Sequence, residues 1–346
     1  MAVEVAVIGD RFMRPGVLIA ALRERAGAEL EIRSRELPWP DEPMRHGYAG
    51  DALEGLTEFV GRPEDFVGLL EGVEILVDHL APVTGWLLDR CPKLQLIAVA
   101  RGGPTNIDLA AARARDVAVV NAPGRNASAV AEFTIGAILA ETRLIRAGHE
   151  SLRRGIWRGD LYRADVTGDE LCEMTVGIIG YGHIGTRVVR LLKPFDCRIL
   201  VDDPYVRLAD EDRADGVEEA GLDELLARSD VVSLHARLSP ETAGFLGAAQ
   251  FARMRRGAYF VNTARGPMVD YDALYDALKS GRLRGAMLET FWQEPPPADA
   301  PLLALPNVTL SPHIAGASLK TVRDAARLVA DEVGRYLRGE PFANPC

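Results

Sequence analysis

The sequence predicts an α/β protein of two domains, each built on a mostly parallel sheet. Short apolar strands alternate with helical segments over the first 120 residues, and the alternation resumes after residue 174. This alternation is typical of βαβ units. A length of 346 residues is enough for two domains with sizeable cores.

Composition and charge narrow the class of protein. Apolar residues make up 48% of the chain and charged residues 26%, as in ordinary soluble globular proteins. The formal net charge of −10 argues against general nucleic-acid binding, which needs a basic face. No signal peptide and no apolar run of membrane-spanning length is recognisable, so we expect no membrane association. The four cysteines lack C-x-x-C spacing, which predicts no metal site and free thiols in the cytoplasm.

The first domain carries no dinucleotide glycine motif. Its predicted strands lie at 3–8, 29–33, 75–77, 96–99 and 117–120, with a helix at 15–25. The Pro-, Gly- and acid-rich passage at 37–62 is either an excursion over the mouth of an active site or a packed surface insertion. The next predicted helix, 127–146, is apolar on too broad a face for a simple surface helix. We expect it to bridge the domains or to lie in a subunit contact.

A glycine-rich turn organises the second domain. A β-branched run from Thr175 ends in G-x-G-x-x-G at Gly180, Gly182 and Gly185, and a helix follows. In a dinucleotide site these glycines allow a tight turn, close approach of the pyrophosphate, and close helix–strand packing. A second strand ends in two acids, of which Asp203 can bind the adenosine ribose and repel a 2′-phosphate. This pattern predicts a Rossmann domain that binds NAD. Arg207 and Arg237 lie near the predicted adenosine side and carry positive charge, so NADP is the alternative cofactor.

The predicted strands of this domain are 175–180, 198–202, 230–235, 258–263, 285–290 and 307–311, in the order 3-2-1-4-5-6. The last helix, 318–338, is predicted to return to the first domain. Three polar residues follow the last three strands: Arg265, Glu294 and His313.

Ligands bind beyond the carboxyl ends of parallel strands, so these three side chains should converge in one crevice. An Arg can bind a carboxylate and polarise a carbonyl. A His exchanges a proton near neutral pH, and a Glu beside it favours the imidazolium and fixes the tautomer. Separately, Arg265 could be a surface contact, Glu294 an acid before prolines, and His313 a turn residue. Their convergence favours hydride transfer between an alcohol and a ketone.

These motifs resemble those of the D-isomer-specific 2-hydroxyacid dehydrogenases, the family that contains D-3-phosphoglycerate dehydrogenase. The matching segments are Gly-Tyr-Gly-His-Ile-Gly (180–185), Val-Asp-Asp-Pro-Tyr (201–205), Asn-Thr-Ala-Arg-Gly (262–266), Glu-Pro (294–295) and Ser-Pro-His-Ile-Ala-Gly (311–316). The resemblance implies a Rossmann NAD-binding domain at 122–314, inserted in a flavodoxin-like substrate domain at 1–121 plus 315–346. It also implies a homodimer, with substrate bound between the two domains.

The resemblance further implies residue roles. Arg265 would bind substrate, Glu294 would assist, and His313 would be the acid/base. The implied NAD contacts are Gly180, Gly182, His183, Ile184, Gly185, Asp203, His235, Thr263, Ala264, Arg265, Glu289 and His313.

Glu289 and Arg101 differ from the family or extend its pattern, whereas Gly102 and Gly103 match the family's glycine loop. Glu289 stands where the family usually has an Asp that holds the nicotinamide carboxamide. Gly102 and Gly103 would bind the substrate carboxylate through backbone N–H groups. Arg101, an addition to that loop, would either bind substrate or pair with an acid such as Asp78 or Asp108.

The expected activity is NAD-dependent interconversion of a D-2-hydroxy acid and its 2-keto acid. The alternative is a non-catalytic, NADH-sensing protein of the same fold. Formate oxidation is disfavoured, because relatives with that activity carry Gln where this chain has Glu294.

Overall fold

The computed structural model describes residues 2–27, 29–39, 53 and 55–346. Its contacts form two units, Met1–Asn126 with Ala317–Cys346, and Ala127–Gly316. Residues 40–52 and 54, in the middle of the passage at 37–62, lie outside the described residues.

The regular elements follow the predicted alternation. Before residue 127 they are β1 (Val3–Gly9), α1 (Pro15–Arg25), β2 (Leu30–Glu36), α2 (Val67–Leu70), β3 (Ile75–Asp78), α3 (Gly85–Leu88), β4 (Leu96–Val99), α4 (Leu109–Arg113) and β5 (Ala118–Val120). The second unit contains α5 (Ala127–Thr142), α6 (Ile145–Arg153), β6 (Thr175–Ile179), α7 (Gly185–Leu192), β7 (Arg198–Asp202), α8 (Asp210–Ala214), β8 (Glu218–Glu219), α9 (Leu222–Arg228), β9 (Val231–Leu234), α10 (Ala248–Arg253), β10 (Ala258–Asn262), α11 (Tyr271–Lys279), β11 (Leu283–Leu288) and β12 (Val308–Leu310). The last helix is α12 (Leu319–Leu337). Short 3₁₀ helices lie at Pro63–Phe66, Gly159–Tyr162, Leu171–Glu173, Lys193–Phe195, Gly266–Met268 and Pro301–Ala304.

The first sheet has the strand order β2-β1-β3-β4-β5, and all its described pairs are parallel. This is the flavodoxin-like order, which reverses direction between β1 and β3. Strands β3 and β4 are wholly buried, as expected for strands covered on both faces, and every residue in them is apolar except Asp78 at the end of β3. Helices α1 and α12 pack together, with Arg25 Nε donating to Asp331 Oδ1 at 2.6 Å.

The second sheet has the order β12-β11-β10-β9-β6-β7-β8, again with parallel pairs. The predicted α/β class with two parallel sheets is therefore confirmed. The predicted count of six strands is wrong, because within the described residues this sheet has seven. The missed strand, β8, is two acidic residues paired with Leu200 and Val201 at the sheet edge. It carries no apolar run that a sequence reading could detect. The segment predicted as the third strand is the fourth, and it lies beside β6.

The predicted helix at 127–146 is also wrong in its extent. Helix α5 ends at Thr142, Leu144 adopts a left-handed conformation with φ of 54°, and α6 begins at Ile145. The broad apolar face of α5 packs on α7, β10 and β11 of its own unit. That packing accounts for the breadth of the face. Among the described residues, no helix is both long enough and apolar enough to cross a membrane.

Candidate active site

The glycine turn after β6 has two glycines that packing requires and one that it does not. Gly180 has φ of +96°, and a Cβ there would lie 2.6 Å from the Ala236 nitrogen. A Cβ on Gly185 would lie 2.0 Å from the Gly180 oxygen. Gly182 is exposed, and no atom lies within 4 Å of the position that its Cβ would take. The space beside Gly182, at the start of α7, suits a pyrophosphate at a helix N-terminus.

The two residues inside this turn also border that space. His183 is exposed, and its carbonyl accepts a hydrogen bond from Arg187 Nη1 at 2.6 Å. Ile184 is half-buried and immediately precedes α7. Both backbones are therefore held at the mouth of the turn.

Asp203 ties the glycine turn to the loop after β7. Its Oδ2 accepts from the Tyr181 N–H at 2.7 Å, and its Oδ1 accepts from the Tyr205 and Val206 N–H groups at 2.8 and 3.0 Å. A carboxylate has about four lone-pair positions, so capacity remains for ribose hydroxyls. Burial, then the Asp203 charge, raises the pKa of Asp202. A cavity of about 420 Å³ opens beside these acids, lined by Val201, Asp202, Asp203, Pro204, Tyr205, Val206, Arg207, Glu219, Ala220, Gly221 and Glu224.

His235 borders the glycine turn because β9 lies next to β6. The ring is buried, with Nε2 at 2.8 Å from Ser233 Oγ. Burial lowers the pKa of His235 to about 3, so the ring is neutral. Its buried Nδ1 has no hydrogen-bond partner among the described residues. That orphaned atom can meet a bound cofactor.

The turn after β10 presents Arg265 at the carboxyl edge of the sheet. The Ala264 N–H donates to Asn262 Oδ1 at 3.0 Å, and the hydroxyls of Thr263 and Thr134 lie 3.0 Å apart. Arg265 is exposed, and its Nη1 donates to the Ala264 carbonyl at 2.8 Å.

Glu294 and His313 form a hydrogen-bonded pair, with 2.7 Å between Glu294 Oε2 and His313 Nδ1. The other carboxylate oxygen, Oε1, accepts from the Phe291 N–H at 2.9 Å. Glu294 is buried, whereas the His313 side chain is 20% exposed. A buried carboxylate that fixes one ring nitrogen is the arrangement that general acid–base catalysis requires.

Glu289 braces the segment that carries His313, a role that the sequence reading missed. Its Oε1 accepts hydrogen bonds from the Ile314 and Ala315 N–H groups, the latter at 2.9 Å, and the Ser311 hydroxyl lies at 3.4 Å. The His313 N–H donates to the Glu289 carbonyl at 3.0 Å, and His313 has φ of 52°. Burial raises the pKa of Glu289. Glu is one methylene longer than the Asp that the family usually has at this position. That extra length is the feature of the sequence that could have indicated contacts with the His313 segment.

In the first unit, Arg101 pairs with an acid that the sequence analysis did not name. Its guanidinium contacts the Glu58 carboxylate, and its Nη1 donates to the Glu58 carbonyl at 2.8 Å. The two acids named as examples, Asp78 and Asp108, have other hydrogen-bond partners. Asp78 instead accepts from Asn106 Nδ2 at 2.7 Å, and Asp108 caps α4 by accepting from the Ala111 N–H. Pairing with a residue 43 positions away depends on loop folding that local sequence does not encode.

The neighbouring glycines remain suited to a ligand. No atom lies within 4 Å of the positions that Cβ atoms on Gly102 and Gly103 would take. Packing therefore does not demand glycine at either position, and a ligand can approach the backbone closely there. Within the described residues, no cluster of three or more His, Cys, Asp or Glu side chains could hold a metal ion.

Comparison with known proteins gives consistent matches. Residues 135–315 match the family model of the D-isomer specific 2-hydroxyacid dehydrogenase, NAD binding domain. A glyoxylate reductase of Korarchaeum cryptofilum is 40% identical over 95% of this chain and 94% of its own length. A D-3-phosphoglycerate dehydrogenase of Methanocaldococcus jannaschii is 38% identical over 85% of this chain, which spans 57% of that protein. The crystal structure of a Thermus thermophilus protein superimposes with a TM-score of 0.78 and 30% identity, covering 98% of this chain and 99% of that one.

The family match covers the glycine turn, Asp203 and the Arg265, Glu294 and His313 segments. The glycine geometry and the cavity beside Asp203 fit a dinucleotide. The chain therefore belongs to the D-isomer specific 2-hydroxyacid dehydrogenase family, the NAD-dependent oxidoreductases that interconvert D-2-hydroxy acids and their 2-keto acids.

Proposed function

We propose that His313 exchanges the proton in this reaction, that Glu294 orients it, and that Arg265 binds the substrate. The observation that carries the proposal is the 2.7 Å contact between Glu294 Oε2 and His313 Nδ1. During reduction the carbonyl carbon gains a hydride and the carbonyl oxygen gains a proton. Because Glu294 contacts Nδ1, we assign the exchanged proton to Nε2.

NAD, when bound, supplies or accepts the hydride. Arg265 contributes charge where the carbonyl oxygen becomes negative, and its planar fork suits the substrate carboxylate. Gly102 and Gly103 offer backbone N–H groups to the same class of anion. A substrate role for Arg101 stays a prediction, and its contact with Glu58 favours a structural role.

The experiment that tests this function is NADH oxidation over a panel of 2-keto acids, including glyoxylate, pyruvate and phosphorylated or sugar-derived acids. We expect turnover with at least one acid. A protein that only senses NADH would bind the nucleotide, detected by fluorescence titration, and turn over none. Formate-dependent reduction of NAD would instead indicate the formate chemistry disfavoured by Glu294.

Asp203→Ala should increase the use of NADPH relative to NADH. The substitution removes the carboxylate that repels a 2′-phosphate, and Arg207 lines the same cavity. The measurement is the ratio of kcat/KM for the two cofactors in the wild type and the variant. A wild-type preference for NADPH would contradict the assignment of NAD specificity to Asp203.

We propose a homodimer, because large apolar side chains are exposed along one stretch of the second unit. Trp157 is 84% exposed and Tyr162 is 95% exposed, and Ile145, Leu152 and Ile156 are exposed as well. Exposed apolar surface of this kind marks interaction sites. Light scattering after size exclusion should give twice the chain mass, and Trp157→Ser with Tyr162→Ser should shift it toward the monomer. A monomeric wild type, or a variant that stays fully dimeric, would contradict this placement.

We also propose that the protein works in the cytoplasm. The four cysteines, all within the described residues, are free thiols. A reducing compartment maintains that state.

A further inference from the structure

A buried polar cluster lies at the carboxyl edge of the first sheet, where its strand order reverses. Strands β1 and β3 pair in register, with Ile8 opposite Asp78. Asp10 follows β1 and His79 follows β3, and His79 Nδ1 lies 2.5 Å from Asp10 Oδ2. Asp10 is 0% exposed and His79 is 4% exposed. In open parallel sheets this reversal point is where ligands bind.

The contacts of Asp10 determine which ring nitrogen of His79 faces a ligand. Asp10 Oδ1 accepts from the Phe12 and Met13 N–H groups, each at 2.8 Å. Burial acts to raise the pKa of Asp10, but the His79 contact and these donors outweigh it, so the pKa lies below its usual value. Burial lowers the pKa of His79, which makes a neutral ring that donates from Nδ1. Its Nε2 is then an acceptor, and it makes no hydrogen bond within the described residues.

Arg125 adds hydrogen-bond donors to this cluster. Its Nε and Nη1 are buried and have no hydrogen-bond partner among the described residues. Burial lowers the pKa of Arg125 to about 10, against the effect of the Asp10 charge, so the guanidinium is charged at neutral pH. Arg125 follows β5, at the same carboxyl edge of the sheet, and its charge in turn acts to lower the pKa of His79. Buried N–H groups without acceptors are rare in folded proteins, because burial removes the water that would otherwise accept from them.

We infer that His79 and Arg125, oriented by Asp10, bind a hydroxyl group on the carbon chain of the substrate. The inference rests on the proposed function, in which the substrate is a 2-keto or 2-hydroxy acid. A hydroxyl both donates and accepts, so it satisfies His79 Nε2 and Arg125 N–H together. A second carboxylate would only accept, and would face the Nε2 lone pair and the Asp10 charge. A methyl group would leave the donors and the acceptor unsatisfied.

The position of the cluster limits the length of the substrate. Gly102 and Gly103 follow β4, the neighbour of β3, and the Ala100 N–H donates to the Asp78 carbonyl at 2.7 Å. Adjacent strands lie about 4.8 Å apart, so the hydroxyl would lie roughly 5–10 Å from a carboxylate bound at the glycines. That span corresponds to an acid of about three to five carbons.

The test compares pairs of 2-keto acids that differ only by a terminal hydroxyl in place of a methyl. The pairs are hydroxypyruvate with 2-oxobutyrate, and 4-hydroxy-2-oxobutyrate with 2-oxopentanoate. We expect a higher kcat/KM for the hydroxylated member of at least one pair. Arg125→Met should reduce that preference roughly ten- to a hundred-fold. His79→Asn, which keeps a donor for Asp10, provides a second variant should Arg125→Met fold poorly, and it should reduce the preference likewise.

Arg113→Met, at an exposed position ending α4, is the matched control and should leave the preference unchanged. Equal kcat/KM for both members of each pair in the wild type would overturn the inference. An unchanged preference in both Arg125→Met and His79→Asn would overturn it as well. A preference for oxaloacetate that falls in Arg125→Met would assign the subsite to a carboxylate instead. Absence of turnover with every acid would overturn the proposed function, and this inference with it.

Discussion

Replacing His313 with alanine should lower kcat by about 10²–10⁴, while NADH still binds. The imidazole exchanges the proton of the reacting oxygen, and alanine leaves no group at that position to replace it. The measurement pairs steady-state NADH oxidation with a fluorescence titration of NADH binding. Glu294→Gln keeps an oxygen that can accept from the ring, so its loss of kcat should be smaller. Near-normal turnover in His313→Ala would remove His313 from the mechanism.

Replacing Gly182 with valine should raise the Kd for NADH roughly a hundred-fold without unfolding the protein. No atom lies within 4 Å of the added Cβ position, so the fold can accommodate the side chain. The same side chain fills the space that the pyrophosphate needs. Fluorescence titration gives the Kd, and thermal unfolding checks the fold.

Gly185→Ala provides the contrasting variant. Its Cβ would lie 2.0 Å from the Gly180 oxygen, so the turn must shift, at a cost of about 1–3 kcal/mol in the free energy of unfolding. The two variants therefore separate a ligand contact from a packing requirement. Wild-type affinity for NADH in Gly182→Val would contradict a pyrophosphate site at this turn.

Local patterns in the sequence were sufficient to predict most of the strands and helices of the fold. Strand β4 is a continuous apolar run between helices, and β3 is one up to its last residue, Asp78, so a single sequence displays both. Strand β8 is two acidic residues at a sheet edge, so neither length nor hydropathy indicated it. The end of α5 was missed because the left-handed Leu144 belongs to no residue type that favours that conformation.

The candidate catalytic residues could be predicted because each follows a parallel strand, and such positions share one edge of the sheet. The hydrogen bonds that hold these residues in position could not be predicted from the sequence. The hydrogen bonds of Glu289 to the His313 segment depend on how two turns pack. The pairing of Arg101 with Glu58 and of His79 with Asp10 joins residues far apart in the chain, which only the folded structure reveals.

The most direct test of the central claim is the chirality of the product formed from a 2-keto acid and NADH. The purified protein is incubated with NADH and each acid of the panel except glyoxylate, whose reduction product is achiral, and the resulting 2-hydroxy acid is resolved by chiral chromatography. The account predicts one D-2-hydroxy acid formed for each NADH oxidised. An L-2-hydroxy acid, a racemic product, or no oxidation of NADH by any acid of the panel would contradict it.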